Sequence, residues 1–163
     1  MTPAQQLHNL LLAHDWTIAV AESLTAGHIQ SLIASVSGSS RVFLGGVTCY
    51  TIDQKVDFLH VDRDHAASVN CVSEEVASQM AAGVRTRFGS AVSIATTGYA
   101  EAWGDVSTPH AHIVVDIQGD QTHQLFRGPD LDRVTMQRAV ATAAVDLIVA
   151  RISALSTTDE DAP

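Results

Sequence analysis

The stretch Thr17-Ile18-Ala19-Val20-Ala21-Glu22-Ser23-Leu24-Thr25-Ala26-Gly27-His28 constrains the fold more than any other in the chain. A short apolar run of β type ends in Glu-Ser-x-Thr-x-Gly, and a helical pattern takes over at once. Such a junction presents a hydroxyl at the carboxyl edge of a strand, where open α/β sheets hold their ligands. It predicts a strand over 17–22 and a helix over about 24–36, whose first N–H groups face the same spot and favour negative charge. Ser23 is then a candidate nucleophile beside an anion site. The same residues also suit a plain helix start, with Ser23 or Thr25 as the cap.

The chain around this stretch alternates strands and helices. Leu7, Leu10 and Leu11 have helical spacing within 4–14. The run Arg41 to Tyr50 reads as a second strand, and its paired Gly45 and Gly46 suggest a bulge or a close backbone approach. Thr51-Ile52-Asp53-Gln54 has the capping-box form, so a helix starts there with Lys55 in its first turn. The stretch Val61 to Asn70 is polar and irregular, with room for a short helix. Ser73-Glu74-Glu75 caps the next helix, which Gly89 stops.

A third strand over 91–97 ends at Thr97-Gly98, and a turn-rich loop follows over about 98–109. Strands 113–117 and 123–126 make a hairpin about Gln118-Gly119-Asp120-Gln121. The last helix runs from Asp132 to about Leu155, with Val134, Ala141, Val145, Ile148 and Ile152 on its inner stripe. The expected architecture is a three-layer α/β/α sandwich with a mixed, mostly parallel sheet. It forms one domain over 1–155, followed by an acidic disordered tail over 156–163.

No run approaches the roughly 18–20 apolar residues of a membrane span. The first residues lack a basic region, so no secretory signal is expected. Cys49 and Cys71 have neither metal nor redox spacing, which fits a cytoplasmic protein with reduced thiols. A net charge of −9 argues against nucleic-acid or acidic-membrane partners.

Tyr50, Lys55 and Thr97-Gly98 all belong to strand ends or strand–helix junctions that should lie near Ser23. Lys55 is the only lysine among nine Lys and Arg residues. A Ser–Lys pair can attack an amide if burial lowers the lysine pKa, so that its neutral amine takes the serine proton. A solvated lysine on a helix surface is the plainer alternative. His110 and His112, at i and i+2, share one strand face, but no Cys or acid joins them at ligand spacing and no metal site is expected. His60-Val61-Asp62-Arg63-Asp64-His65 reads as a solvated loop, and Cys71 as a buried small residue.

Taken together these motifs resemble the CinA C-terminal domain family, whose activity is nicotinamide-nucleotide amidase. The resemblance covers about residues 5–153. It rests on Thr17 to Gly27, on Phe43-Leu44-Gly45-Gly46-Val47 through Tyr50 and Lys55, and on Val72-Ser73-Glu74-Glu75-Val76-Ala77 with Met80-Ala81. Thr97-Gly98 and Asp132-Arg133 complete it. It implies hydrolysis of nicotinamide mononucleotide to nicotinic acid mononucleotide and ammonia, a step of pyridine-nucleotide salvage. It also implies a stand-alone module without the N-terminal domain of long members.

By position, Ser23 would be the nucleophile, Lys55 its base and Tyr50 an orienting or relaying group. Arg133 would bind the substrate phosphate, and backbone N–H groups of Thr25, Ala26 and Gly27 would stabilise the anion. Glu22, Gly45, Gly46, Thr97 and Gly98 would complete the substrate site. No cofactor and no metal are implied, and a homo-oligomer is expected.

The chain departs from the family at the recognition side. The family's Ser-Cys-Thr-Gly-Gly reads Ser23-Leu24-Thr25-Ala26-Gly27, and a glycine-rich loop is replaced by Gly98-Tyr99-Ala100-Glu101-Ala102-Trp103-Gly104-Asp105. A second arginine is Gln137, and Leu131 stands for a glycine. Glu101 and Asp105 bring two carboxylates towards the expected phosphate site, which disfavours the mononucleotide relative to a less anionic ligand. Two functions therefore stay open: an active amidohydrolase, or a catalytically degenerate relative that binds a small nucleotide-like ligand or a protein partner.

Overall fold

The computed structural model describes residues 1–160, with side chains described as far as Leu155. Five strands form one sheet: β1 (Ile18–Glu22), β2 (Phe43–Thr48), β3 (Val92–Tyr99), β4 (His110–Ile117) and β5 (Asp120–Arg127), in the order β2-β1-β3-β4-β5. β1 pairs in parallel with both β2 and β3, whereas β4 runs antiparallel to β3 and β5. Four strands thus share one direction, and the mixed, mostly parallel sheet holds. Helices α1 (Pro3–Ala13), α2 (His28–Ala34) and α6 (Arg133–Glu160) cover one face. Helices α3 (Ile52–Leu59), α4 (Arg63–Ser68) and α5 (Glu74–Phe88) cover the other.

Alternation along the strands explains the two layers. Ile18, Val20, Ile94, Ile113 and Val115 face α6 and α1 in one core cluster, where Met136, Val140, Ile148 and Ile152 meet them. Ala19, Ala21, Ala95 and Val114 face α5, which answers with Val76, Ala77, Met80, Ala81 and Val84. Large branched residues fill one face. Small residues on the other let α5 lie close to the sheet, which brings its first residue, Glu74, within reach of His123 on β5.

Several expected boundaries move, each for a local reason. The helix after Ser23 begins at His28, not at 24, because Ala26 (φ +49°) and Gly27 (φ +98°) turn left-handed before it. Strand pairing shifts between Ile18 and Ala19, which face Phe43 and Gly45, so Leu44 is the bulged residue. Thr51 caps α3 without a side-chain hydrogen bond, so the capping box expected there is absent. One forms instead at Thr2 and Gln5, ahead of α1. The hairpin turn is only Gln118-Gly119, both at positive φ, and β4 and β5 run correspondingly longer. Val134 is exposed rather than on the inner stripe. Of the expected tail, α6 carries the backbone to Glu160, while 161–163 lie outside the described residues.

Candidate functional site

The carboxyl ends of β1, β2 and β3 meet at one edge of the sheet, and Ser23 stands one residue past β1. The β1–β2 pairing continues beyond the named strands, with the Cys49 N–H donating to Glu22 O at 2.9 Å. That bond fixes the backbone from which α3 departs and returns Lys55 beneath Ser23. Lys55 Nζ lies 2.9 Å from Ser23 Oγ, 2.8 Å from Cys49 O and 3.1 Å from Tyr50 O.

Lys55 is 1% exposed and Ser23 7%. Burial lowers the lysine pKa from its ordinary value, against a smaller opposing influence of Cys71 and Cys49. Among the described residues no carboxylate pairs with it. A neutral amine keeps two N–H bonds and one lone pair. The two carbonyls match the two N–H bonds, and the lone pair is left for the serine hydroxyl proton. Burial also pushes the neighbouring Cys49 thiol up, so it disfavours the ionised forms of both Lys55 and Cys49.

Ser23 opens onto a cavity of about 240 Å3. Leu24 and Val72 contribute apolar wall, while Tyr50, Tyr99 and Trp103 offer aromatic surface. The backbone turns left-handed at both Asn70 and Cys71. This turn carries Asn70 Nδ2 to Tyr99 OH (3.1 Å) and Cys71 O to Thr97 Oγ1 (2.6 Å), closing the side towards α4. Arg133, from the first turn of α6, reaches the opening. Its Nε donates to Glu101 Oε1 at 3.1 Å, its Nη2 donates to the same oxygen, and its Nη1 donates to Tyr50 OH at 3.3 Å. The guanidinium hydrogen bonds hold the Glu101 carboxyl below the usual range, and the same contacts raise the arginine.

Of the residues expected at the site, Ser23, Tyr50, Gly98 and Arg133 line the cavity, with Lys55 directly behind Ser23. The others serve the scaffold. Glu22 is fully buried, and its carboxylate accepts from the N–H groups of Gly27 (2.9 Å), Ile29 (3.2 Å) and Gln30 (2.9 Å). The expected anion site at the start of α2 is therefore filled by the chain's own carboxylate. The Ala26 N–H donates to Ser23 O, so neither it nor the Gly27 N–H, already held by Glu22, is left as an anion donor, and the His28 N–H donates to Thr25 O. Thr25 Oγ1 hydrogen-bonds Thr96 Oγ1 at 2.8 Å.

Gly45 packs on Phe88. A Cβ on Gly46 would meet Val20 O at 2.6 Å and the Gln30 side chain at 2.8 Å, so close packing explains the pair. Gly98 serves both purposes, since a Cβ there would strike His110 O at 2.4 Å. Tyr50 lies two residues past β2, and its hydroxyl engages Arg133. Its carbonyl, not its phenol, touches Lys55.

The carbonyls of Cys49 and Tyr50, with Asn70 and Val72, were absent from the expected site. The Asn70-Cys71 turn had one legible sign, because Asn tolerates the left-handed region. His110 and His112 point to the α5 face, where Tyr99 meets His110 edge-on. His112 Nδ1 lies 3.0 Å from His123 Nε2, and His123 Nδ1 lies 3.2 Å from Glu74. Burial and the neighbouring His123 lower the His112 pKa. Cys71 is only partly buried. Among the described residues no group of three His, Cys, Asp or Glu could hold a metal ion, and no helix is long and apolar enough to cross a membrane.

The profile of the CinA C-terminal domain matches residues 1–152. The chain belongs to the CinA C-terminal domain family. A CinA-like protein of Picosynechococcus sp. is 37% identical over 143 residues, covering 85% of this chain and 34% of the relative. One of Frankia casuarinae is 32% identical over 161 residues, covering 94% of this chain and 37% of the relative. The chain thus spans about a third of the length of these curated CinA relatives. Among solved structures, the competence/damage-inducible protein CihA of Agrobacterium tumefaciens superposes with a TM-score of 0.85 at 27% identity, over 91% of this chain and 92% of that one. A CinA superfamily protein of Klebsiella pneumoniae reaches a TM-score of 0.87 at 21% identity, over 93% and 96%, which shows the shared CinA fold.

Proposed function

We propose that this CinA-family domain is an amidohydrolase that converts nicotinamide mononucleotide, or a related aromatic amide, to the carboxylate and ammonia. The observation that carries this reading is Lys55 Nζ, buried, held by two carbonyls and 2.9 Å from Ser23 Oγ. Neutral Lys55 takes the Ser23 proton as Oγ bonds to the amide carbon. The carbonyl becomes an oxyanion, for which the Leu24 and Thr25 N–H groups, just after Ser23 in the chain, are the donors. The carbon–nitrogen bond then breaks, and the nitrogen leaves as ammonia with the proton from Lys55. A water gives its proton to Lys55 and attacks the acyl ester. Ser23 departs with that proton, releasing the carboxylic acid, which ionises in water.

Tyr50 supports the reaction through its carbonyl, which orients the amine, rather than through its hydroxyl. The proposal includes a cytoplasmic setting, self-association into a homo-oligomer and a single catalytic unit over 1–155. The degenerate, ligand-binding alternative draws support from the internal engagement of the Ala26 to His28 N–H groups. Incubating the purified protein with nicotinamide mononucleotide and assaying ammonia separates the two. Release that Ser23→Ala abolishes supports the amidase. No release with any aromatic amide supports the binding relative.

A further inference from the structure

We propose that the Glu101–Arg133 pair makes this chain selective for an unphosphorylated aromatic amide, at the nucleoside level, over the corresponding phosphomonoester. The inference rests on the amidase reading of the same cavity and names its substrate class. Among the described residues Arg133 is the only cation that lines the cavity. Its guanidinium directs Nε and Nη2 to one carboxylate and Nη1 to a phenol. Carboxylate and phosphate oxygens are alternative acceptors for the same guanidinium N–H groups. Glu101 thus stands where a phosphate would bind.

A phosphate entering there must part the pair and then sit beside a released carboxylate, with like charges at short range. The second place for an anion, the N-terminus of α2, is closed in the same manner by Glu22. Both anion sites near Ser23 are therefore occupied by carboxylates from the chain itself. The rest of the lining offers aromatic and apolar surface from Tyr99, Trp103, Leu24 and Val72, beside the polar side chain of Asn70. The cavity, at about 240 Å3, is also small beside the roughly 300–1,000 Å3 of typical ligand pockets. A small neutral-ended amide suits that volume and lining better than a ligand carrying a dianionic group.

The test is calorimetric binding of nicotinamide riboside and nicotinamide mononucleotide to Ser23→Ala protein, with Glu101 intact or changed to Gln. Gln keeps the shape and an oxygen acceptor for Arg133 while removing the charge. With Glu101 intact, the riboside should bind at least as tightly as the mononucleotide. Glu101→Gln should tighten mononucleotide binding by about tenfold and leave the riboside within about twofold. Mononucleotide binding tenfold or more above the riboside with Glu101 intact overturns the proposal. So does an equal response of both ligands to Glu101→Gln, or binding of neither. Ammonia release by the unmutated protein is followed in parallel. Its absence with both ligands removes the amidase reading, while the binding ratio still decides the selectivity.

Discussion

Ser23 and Lys55 on the inner side of the cavity, and Glu101 and Arg133 at its opening, are held by different means. The inner pair is fixed through backbone: the end of β1, two carbonyls after β2 and a helix that starts at once. The outer pair is fixed by side chains that hold each other. Its loop, between β3 and β4, carries one isolated bridge, Trp103 with Val106. Arg133 and Glu101 are about half exposed, whereas Lys55 and Ser23 are nearly sealed. On the proposed amidase reading, the groups that must meet within a hydrogen bond to react stand on the rigid sheet edge. Those that would choose a ligand stand where a substitution disturbs little else.

The largest effect should come from the inner pair. Ser23→Ala should lower amide turnover by about 10⁴-fold or more, while shifting Tm by no more than about 2 °C. Steady-state ammonia release and thermal denaturation give the two numbers. Turnover above a tenth of the original would make water the nucleophile and dissolve the distinction between the two sides. Lys55→Arg should be as inactive as Lys55→Met, since a guanidinium cannot surrender its proton.

Lys55 also carries a pH signature. Its folded pKa is lowered, so between that value and the ordinary one the unfolded chain binds more protons. Stability should therefore rise with pH across that window, by at most about 1.4 kcal/mol per pH unit. Amidase activity should rise over the same range as the amine loses its proton. Cys49, raised in the folded state, acts in the opposite direction above its ordinary value of 9.0, so the slope is best read below that. Urea titrations at several pH values should show the slope in the unmutated protein and a flatter profile in Lys55→Met. Equal slopes would mean that Lys55 is not what titrates.

A smaller effect should come from Glu22, which touches neither substrate nor lysine. Glu22→Ala leaves three N–H donors at the start of α2 without their acceptor. The loss should be about 2–4 kcal/mol, a Tm fall of roughly 5–10 °C. Glu22→Gln, with one oxygen for three donors, should fall between. A Tm unchanged in Glu22→Ala would mean that α2 does not depend on this cap.

The difference between the two regions also explains what could be read in the sequence. Ser23 and Lys55 were legible because each closes a strand–helix junction, and parallel strands bring such junctions to one edge. Glu22 reads from the sequence as part of the substrate site for the same reason. A carboxylate at that position is compatible with either a ligand or the helix start, and only its burial with three N–H groups decides. Gly45 and Gly46 were marked as a close approach, which the strand has, but the partners are Phe88 and Gln30 rather than a substrate. Tyr50 was legible as a position and not as an atom, since its carbonyl and phenol point to different neighbours. The Glu101–Arg133 contact joins residues 32 apart through side chains alone, so no local pattern announces it. From the sequence alone both Glu101 and Asp105 bear on an incoming phosphate, while in the fold only Glu101 lines the cavity.

Asp105 supplies the finest test of that division. It is exposed and does not line the cavity, whereas Glu101 lines it and holds Arg133. Exposed charges interact through water and are screened by salt, with a Debye length of about 8 Å at physiological ionic strength. Asp105→Asn should therefore change KM for the mononucleotide by less than about twofold, and for the riboside not measurably. Glu101→Gln should change the mononucleotide KM by more and the riboside KM little. Adding Asp105→Asn to Glu101→Gln should leave the ratio of the two KM values where Glu101→Gln alone puts it. A substantial further change in that ratio would mean that the 98–109 loop carries Asp105 to the ligand, and that the opening is organised by the whole loop rather than by one ion pair.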